Sequence, residues 1–385
     1  MSFTALHRRL ARGEPRRSDR IAEGFLTPLA ILYGLGAAAR NLLYDRRLLP
    51  RARAGVPVIS IGSLSAGGTG KTPLAAEVAR LLLAWGHRPL LVARGYGARR
   101  GSGQPRMLAP VAGGAVGSGR AALGWQDVGE EALLLARLAP GVPVAVARRR
   151  EAALAVAREA GCDPDVLVLD GAFQYRRLEA DFQIVTVDAS RRPGSGRLLP
   201  LGDLREPWRN LARADFLILH RAERCAEPDA WKRFLGRHAP EVPVARTGNR
   251  WGRPYRVPDG ASLDWPEAGR RSWGVWLALA DPRPFLDELA ARGIRPLWIE
   301  CARDHAPFSS ATRARIAARH CDGILVSEKD AIKVEAHAHA LPPVYAVAAE
   351  LQLMEGRELF EERLKGALGP IPSSRRSGSG TSPRP

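Results

Sequence analysis

Apolar residues along this chain fall into short runs separated by amphipathic stretches, regularly so between residues 56 and 220. Residues 56–61 form a β-branched run that reads as a buried strand, followed by a loop of small residues over 63–70 and an amphipathic helix opening at Lys71 and Thr72. RPLLVARGYG (88–97) predicts a strand ending in a glycine-rich turn. VGEEALLLARL (128–138) predicts a helix opening on acidic residues, favourable at a helix N-terminus. VPVAVA, DVLVLDG (165–171), FQIVTVDAS (182–190) and ADFLILH (214–220) read as further strands, with EAALAVAREAG a helix between the first two. Strands alternating with helices imply a parallel sheet, whose ligands gather at the strand C-termini. The pattern restarts beyond a Pro- and Trp-containing region at 244–272. SWGVWLALAD, PLWIE, DGILVSEKD and PPVYAVAAEL are expected to supply the strands of a second, smaller α/β layer.

The expected fold class is therefore α/β: a parallel-sheet domain over 51–222 and a smaller α/β domain over 223–369. A basic segment and helix over 1–50 precede them. The low-complexity tail, 370–385, is expected to be disordered. Residues 98–120, rich in Gly and Arg and without periodicity, read as a mobile loop.

One stretch breaks the alternation. GFLTPLAILYGLGAAARNLLY (24–44) is almost uncharged up to Arg40, and Pro28 interrupts it. Its wholly apolar part is short for a bilayer span, and no small-residue cleavage site follows. Arg16, Arg17 and Arg20 precede it, and Arg40, Arg46 and Arg47 follow. It reads as a helix in the headgroup region of an anionic membrane, through residues 16–47, or as a core helix on the first domain; both hold if one face meets protein and another lipid.

Charge narrows the partners. The formal net charge is +18 over 385 residues, carried mostly by Arg, while Lys is scarce. That balance calls for an anionic partner; without aromatic-basic interleaving or a nucleic-acid module, no nucleic acid is expected. The four cysteines are far apart and form no C-x-x-C pair, which suits a reducing cytosol.

The candidate chemistry centres on Ser65, Ala66, Gly67, Gly68, Thr69, Gly70, Lys71, Thr72 and Pro73. A small-residue loop between a strand and a helix opening on Lys-Thr is the layout of a phosphate-cradling P-loop. Its backbone N–H groups turn inward, Lys71 reaches the β/γ-phosphates, and the Thr72 hydroxyl is a Mg²⁺ ligand. Ser65 stands where the strict pattern has Gly, and the Gly67-Gly68 doublet supplies the freedom instead. Asp170, ending an apolar strand about a hundred residues on, stands where such a site takes its second Mg²⁺-organising carboxylate, or else caps a turn. Glu130 and Glu131 open a helix after Gly129, either facing the phosphates or complementing the helix dipole. Asp304 and His305 sit in a loop of the second domain, where a His beside an Asp is a proton acceptor or orienter.

SAGGTGKTP, RGYG (94–97), GRLLPLGDLREP (196–207), DHAPF (304–308) and SEKDAIK (327–333), in this order, resemble the tetraacyldisaccharide 4'-kinase family of the lipid A pathway. The resemblance spans roughly residues 20–350. It implies a kinase of two α/β lobes on the cytoplasmic face of the inner membrane. Such a kinase uses ATP and Mg²⁺ to phosphorylate the 4'-hydroxyl of a lipid-linked tetraacyldisaccharide 1-phosphate. It also assigns Lys71 and Thr72 to the nucleotide, Glu130 to the family's catalytic aspartate, His305 to its partner from the other lobe, and Glu206 to the metal side. Arg94, Arg148, Arg149 and Arg150 are candidates for the sugar 1-phosphate. The sequence departs from the family pattern: D-D-G-F-Q-H is here DGAFQY (170–175), the usual Asn of the first loop is Ser63, and D-H-H is Asp-His-Ala. Two rival readings follow, a nucleotide- and membrane-binding paralogue without kinase activity and a membrane-associated P-loop switch ATPase.

Overall fold

In the computed structural model, residues 19–98, 104–108, 124–190, 196–257 and 259–369 are described. Arg16, Arg17, most of the loop expected over 98–120 and the tail 370–385 lie outside them. A 26-residue helix, α1 (Arg20–Asp45), runs through Pro28. The β-branched runs then become β1 (Val58–Gly62), β2 (Pro89–Ala93), β4 (Val144–Val146), β5 (Val166–Leu169), β6 (Phe182–Asp188) and β7 (Phe216–His220), with a short β3 (Arg106–Leu108) before β4. Helices α2 (Lys71–Ala84), α3 (Glu130–Leu138), α4 (Ala153–Glu159) and α5 (Pro228–His238) alternate with them. β8 (Val244–Trp251) adds one more parallel strand.

With β14 (Ala349–Glu355), which returns from far along the chain, these strands form a nine-stranded sheet ordered β14-β8-β7-β6-β1-β5-β2-β4-β3. Its strands pair in parallel except at the two edges, where β3 and β14 run antiparallel to their neighbours. Every residue of β1, β2, β4, β5 and β7 is buried, because helices cover both faces; hence the continuous rather than alternating apolar runs.

The second sheet has five strands, ordered β11-β10-β12-β13-β9: β9 (Tyr255–Arg256), β10 (Trp273–Leu277), β11 (Trp298–Cys301), β12 (Gly323–Ser327) and β13 (Val344–Val347). Helices α6 (Arg283–Ala291), α7 (Ser310–Ala317) and α8 (Glu328–Val334) connect them. The expected last strand divides in two. β13 ends at Val347, and after Ala348 the chain passes to β14 (Ala349–Glu355), which pairs with β8 in the first sheet. The final helix, α9 (Arg357–Leu368), also returns to the first lobe and buries Phe360 and Leu364 in its core.

The boundary expected at 222/223 therefore needs correction. By sheet membership the first lobe extends through β8 and is completed by β14 and α9, leaving the second lobe as an insertion of roughly residues 252–348. Two antiparallel crossings join the lobes, and the Gly252 N–H donates to the Ala348 carbonyl between them (3.0 Å).

Candidate active site

Three segments meet at the C-terminal ends of β1, β2 and β5. The loop after β1 is pinned from one side by residues 198–206. Ala66 N–H donates to the Asp203 carbonyl (2.7 Å), Ser65 bridges to Leu204, and Arg205 N–H donates to the Leu64 carbonyl (2.7 Å). From below, the buried His220 ring stands 2.5 Å from where a Gly70 Cβ would lie, and Gly70 has a left-handed φ of 79°, so only glycine fits there. Burial, with Arg221 adjacent, pushes His220 down to about 3 and keeps it a neutral wedge.

Lys71 opens α2 with its ammonium folded into the loop. Its Nζ donates to Ser63 Oγ (3.2 Å), the Gly67 carbonyl (3.1 Å) and Thr69 Oγ1 (3.0 Å). It occupies the concavity that anionic oxygens would fill, and desolvation there lowers its pKa to about 8 although Asp170 opposes the shift. Thr72 Oγ1 donates to Asp170 Oδ2 (2.8 Å), while the buried Asp170 Oδ1 has no hydrogen-bond partner. Desolvation raises the Asp170 pKa. Glu131 is also raised, first by desolvation and then by the Asp170 charge. Two neighbouring carboxylates that disfavour each other's charge, one with an orphaned oxygen beside a threonine hydroxyl, fit a hard divalent cation. Among the described residues no group of three or more His, Cys, Asp or Glu is placed to hold a metal. A Mg²⁺ held by one or two carboxylates together with phosphate oxygens needs no such cluster.

The glycine before α3 has φ 88°, and a Cβ there would stand 2.5 Å from the Tyr96 carbonyl. Gly129 thus lets the RGYG turn press against the start of α3 and aims Glu130 towards the second lobe. Glu130 is 3% exposed and meets His305 Nδ1, Lys329 Nζ (3.2 Å) and Lys333 Nζ (2.6 Å). Desolvation pushes its pKa up, but the His305 hydrogen bond and the two lysine charges outweigh it and hold Glu130 at about 2. These contacts favour the charged carboxylate and set it against the His305 imidazole. His305 Nε2 lies 3.4 Å from Asp304 Oδ2, and the Tyr96 ring meets the imidazole edge-on. The family resemblance implies the pairing of Glu130 with His305, whereas Lys329 and Lys333 enter only with the structure, although two lysines four residues apart stand out in an arginine-rich chain.

A cleft of about 660 Å³ adjoins Asp170 and is lined by Arg40, Arg94, Arg148, Arg150 and Arg205, with Tyr33, Gly36 and Ala37 of α1; among the described residues its lining holds no acidic side chain. Arg150 is buried, donating to the Asp170 carbonyl (3.3 Å) with its guanidinium over the Tyr175 ring (4.6 Å). Burial and then Arg94 lower its pKa. Gly171 lines the cleft where the family pattern has its second Asp, so this chain presents no carboxylate there. Arg149 is exposed and does not line the cleft, which separates it from Arg94, Arg148 and Arg150. Arg40 and Arg205 are the additions that sequence reasoning missed.

Glu206 is not on the metal side. It is fully buried, and its carboxylate accepts from Arg40 (3.1 Å), Asn41 (3.0 Å), Asn210 (2.7 Å) and Arg213 (2.8 Å), so its lone pairs go to holding α1 against the first lobe. The contact stripe of α1 is narrow. Leu26 and Ala30 pack on Leu201, Gly34 abuts Leu198, and Asn41 meets Glu206. The remaining apolar face stands free, with Phe25 76% and Leu32 65% exposed alongside Ile21, Leu29, Ile31 and Leu35. By length and composition α1 could also cross a membrane.

Residues 22–369 match the family model of tetraacyldisaccharide-1-P 4'-kinase. The tetraacyldisaccharide 4'-kinase of Geobacter sulfurreducens is 35% identical over 92% of this chain and 97% of its own length. That of Anaeromyxobacter sp. (strain K) is 36% identical over 88% and 89%. Among solved structures, LpxK from Aquifex aeolicus, crystallised in complex with ATP, superposes with a TM-score of 0.72 at 26% identity, covering 90% of this chain and 99% of that one.

Proposed function

The chain belongs to the tetraacyldisaccharide-1-P 4'-kinase family, and on that premise we propose how its residues transfer the γ-phosphate of ATP to the 4'-hydroxyl of the lipid-linked disaccharide 1-phosphate. Residues 65–73 cradle the triphosphate, with the Lys71 ammonium leaving Ser63, Gly67 and Thr69 to meet phosphate oxygens. Thr72, Asp170 and Glu131 would hold Mg²⁺, which when bound supplies charge neutralisation on the phosphates. Transfer of this kind is mostly positioning and electrostatics. Glu130 holds the His305 imidazole by its Nδ1, and His305 takes the proton of the acceptor hydroxyl, with Asp304 beside it.

The observation that carries the acceptor assignment is the arginine cleft, because it joins two surfaces such a substrate needs. One wall is the apolar helix α1, the other the rim of the phosphate site at Asp170. Arg148, Arg94, Arg150, Arg40 and Arg205 favour a dianionic 1-phosphate, and the acyl chains run along α1 towards the bilayer. The chain works on the cytoplasmic side of the inner membrane, where ATP is present. Arg148→Glu tests this. The KM for the disaccharide 1-phosphate is expected to rise at least about tenfold, with the KM for ATP unchanged, since a charge-assisted contact is worth about 1.5–3 kcal/mol. A substrate without the 1-phosphate should lose most of that sensitivity. An effect on ATP instead would assign the cleft to the nucleotide.

A further inference from the structure

Helix α8, carrying the SEKDAIK stretch, belongs to both lobes at once. Ser327 caps it by accepting from the Asp330 N–H (3.1 Å), and the Asp330 carboxylate accepts in turn from Ser327 Oγ (2.7 Å) and the Ala278 N–H (3.1 Å). Ala331 and Val334 pack in the second lobe's core, whereas Ile332 enters that of the first. Just past its end, Glu335 pairs with Arg137 of α3. The two lysines of this helix both point at Glu130. Lys333 Nζ lies 2.6 Å from Oε2, and Lys329 Nζ lies 3.2 Å from Oε1 and 2.9 Å from Asp304 Oδ1.

Lys333 is 1% exposed. A lysine is seldom buried so completely unless paired, and a well-packed apolar side chain would avoid its desolvation cost, so the pair serves geometry more than stability. His305 adds a second sign of imposed geometry. Its φ of 61° is left-handed, a conformation a non-glycine residue keeps only when its surroundings hold it. Here the surroundings are Glu130, Asp304 and the edge of Tyr96.

We propose that Lys333 and Lys329 are positioning residues for the phosphoryl transfer, docking the second lobe on Glu130 so that its Oε1 is held ready for His305. Lys333 fixes Oε2, and Lys329 shares Oε1 with His305 while tethering Asp304. The two lysines therefore act through the carboxylate. The inference rests on reading Glu130 and His305 as the proton-handling pair.

The test is a double-mutant cycle on the full-length protein with ATP and the disaccharide 1-phosphate, using Lys333→Met, Glu130→Gln and the double variant. Lys333→Met is expected to lower kcat at least about tenfold while the KM for ATP stays within about twofold, the signature of lost positioning in a proton-transfer step. In the double variant it should add nothing to the loss of Glu130→Gln, because both changes break one unit. Lys329→Met, on a partly exposed side chain, should move the same way with a smaller loss. Should Lys333→Met not fold, the cycle is run with Lys329→Met in its place. Wild-type turnover in Glu130→Gln would remove the proton-handling pair and the inference with it. An impaired Glu130→Gln beside a fully active lysine variant, or losses that multiply in the double, would overturn the inference alone.

Discussion

Lys71→Ala is expected to reduce phosphoryl transfer by about 10²–10³-fold, the cost of removing one preorganised charge from a developing transition state. The fold should survive. The side chain stands at the mouth of the loop, its three hydrogen bonds end on loop atoms, and α2 is anchored by Leu74, Ala75, Val78 and Leu82 in the core. Both kcat and the KM for ATP should suffer, since the ammonium serves the ground-state triphosphate as well as the transition state. A folded variant retaining more than about a tenth of wild-type turnover would show that the loop binds phosphate without Lys71 carrying the chemistry.

The second large effect concerns the membrane. A substrate with four acyl chains does not leave the bilayer readily, since each buried CH₂ is worth about 0.8 kcal/mol. Deleting 1–44 should abolish most binding to anionic liposomes, but it also strips Asn41 and Arg40 from Glu206. The cleaner variant replaces only the exposed face, Phe25→Ser with Leu29→Ser and Leu32→Ser, and leaves the stripe through Leu26, Ala30, Gly34 and Asn41 in place. Partial burial of those three side chains should contribute several kcal/mol, so co-sedimentation should weaken by about 10²-fold or more, largely independently of salt. Charge reversal at Arg20, Arg46 and Arg47 should give a smaller loss that grows as salt is lowered. Unchanged co-sedimentation of the triple-serine variant would place the docking surface elsewhere.

The parts of this molecule that could be read in advance share one property: their signal is local. β1, β2, β5 and β7 announce themselves because strands buried on both faces must be continuously apolar, and the loop over 63–70 because phosphate binding needs small residues between a strand and a helix. Other features depend on partners far along the chain. β8 reads VARTGNRW, too polar to resemble its neighbours, because only its neighbours in space, β7 and the returning β14, make it a strand. The change of sheet at Ala348 carries no breaker residue, since one extended stretch serves both sheets. The position of Glu206 is hidden for the same reason: a carboxylate in a motif does not reveal that its partners, Arg40 and Asn41, stand some 165 residues earlier. Lys329 and Lys333 carried a compositional signal, but only the packing of α8 on α3 gives it meaning.

Phosphorylation of the lipid-linked sugar by these residues is measured in a single reaction. Full-length protein in anionic mixed micelles is given γ-labelled ATP, Mg²⁺ and tetraacyldisaccharide 1-phosphate, and the lipid product is analysed for label at the 4'-position. The expected result is label transferred to the disaccharide, one phosphate per ATP consumed, and little release of free phosphate when the disaccharide is absent. Tight ATP binding with no labelled lipid, or steady ATP hydrolysis indifferent to the disaccharide, would contradict it.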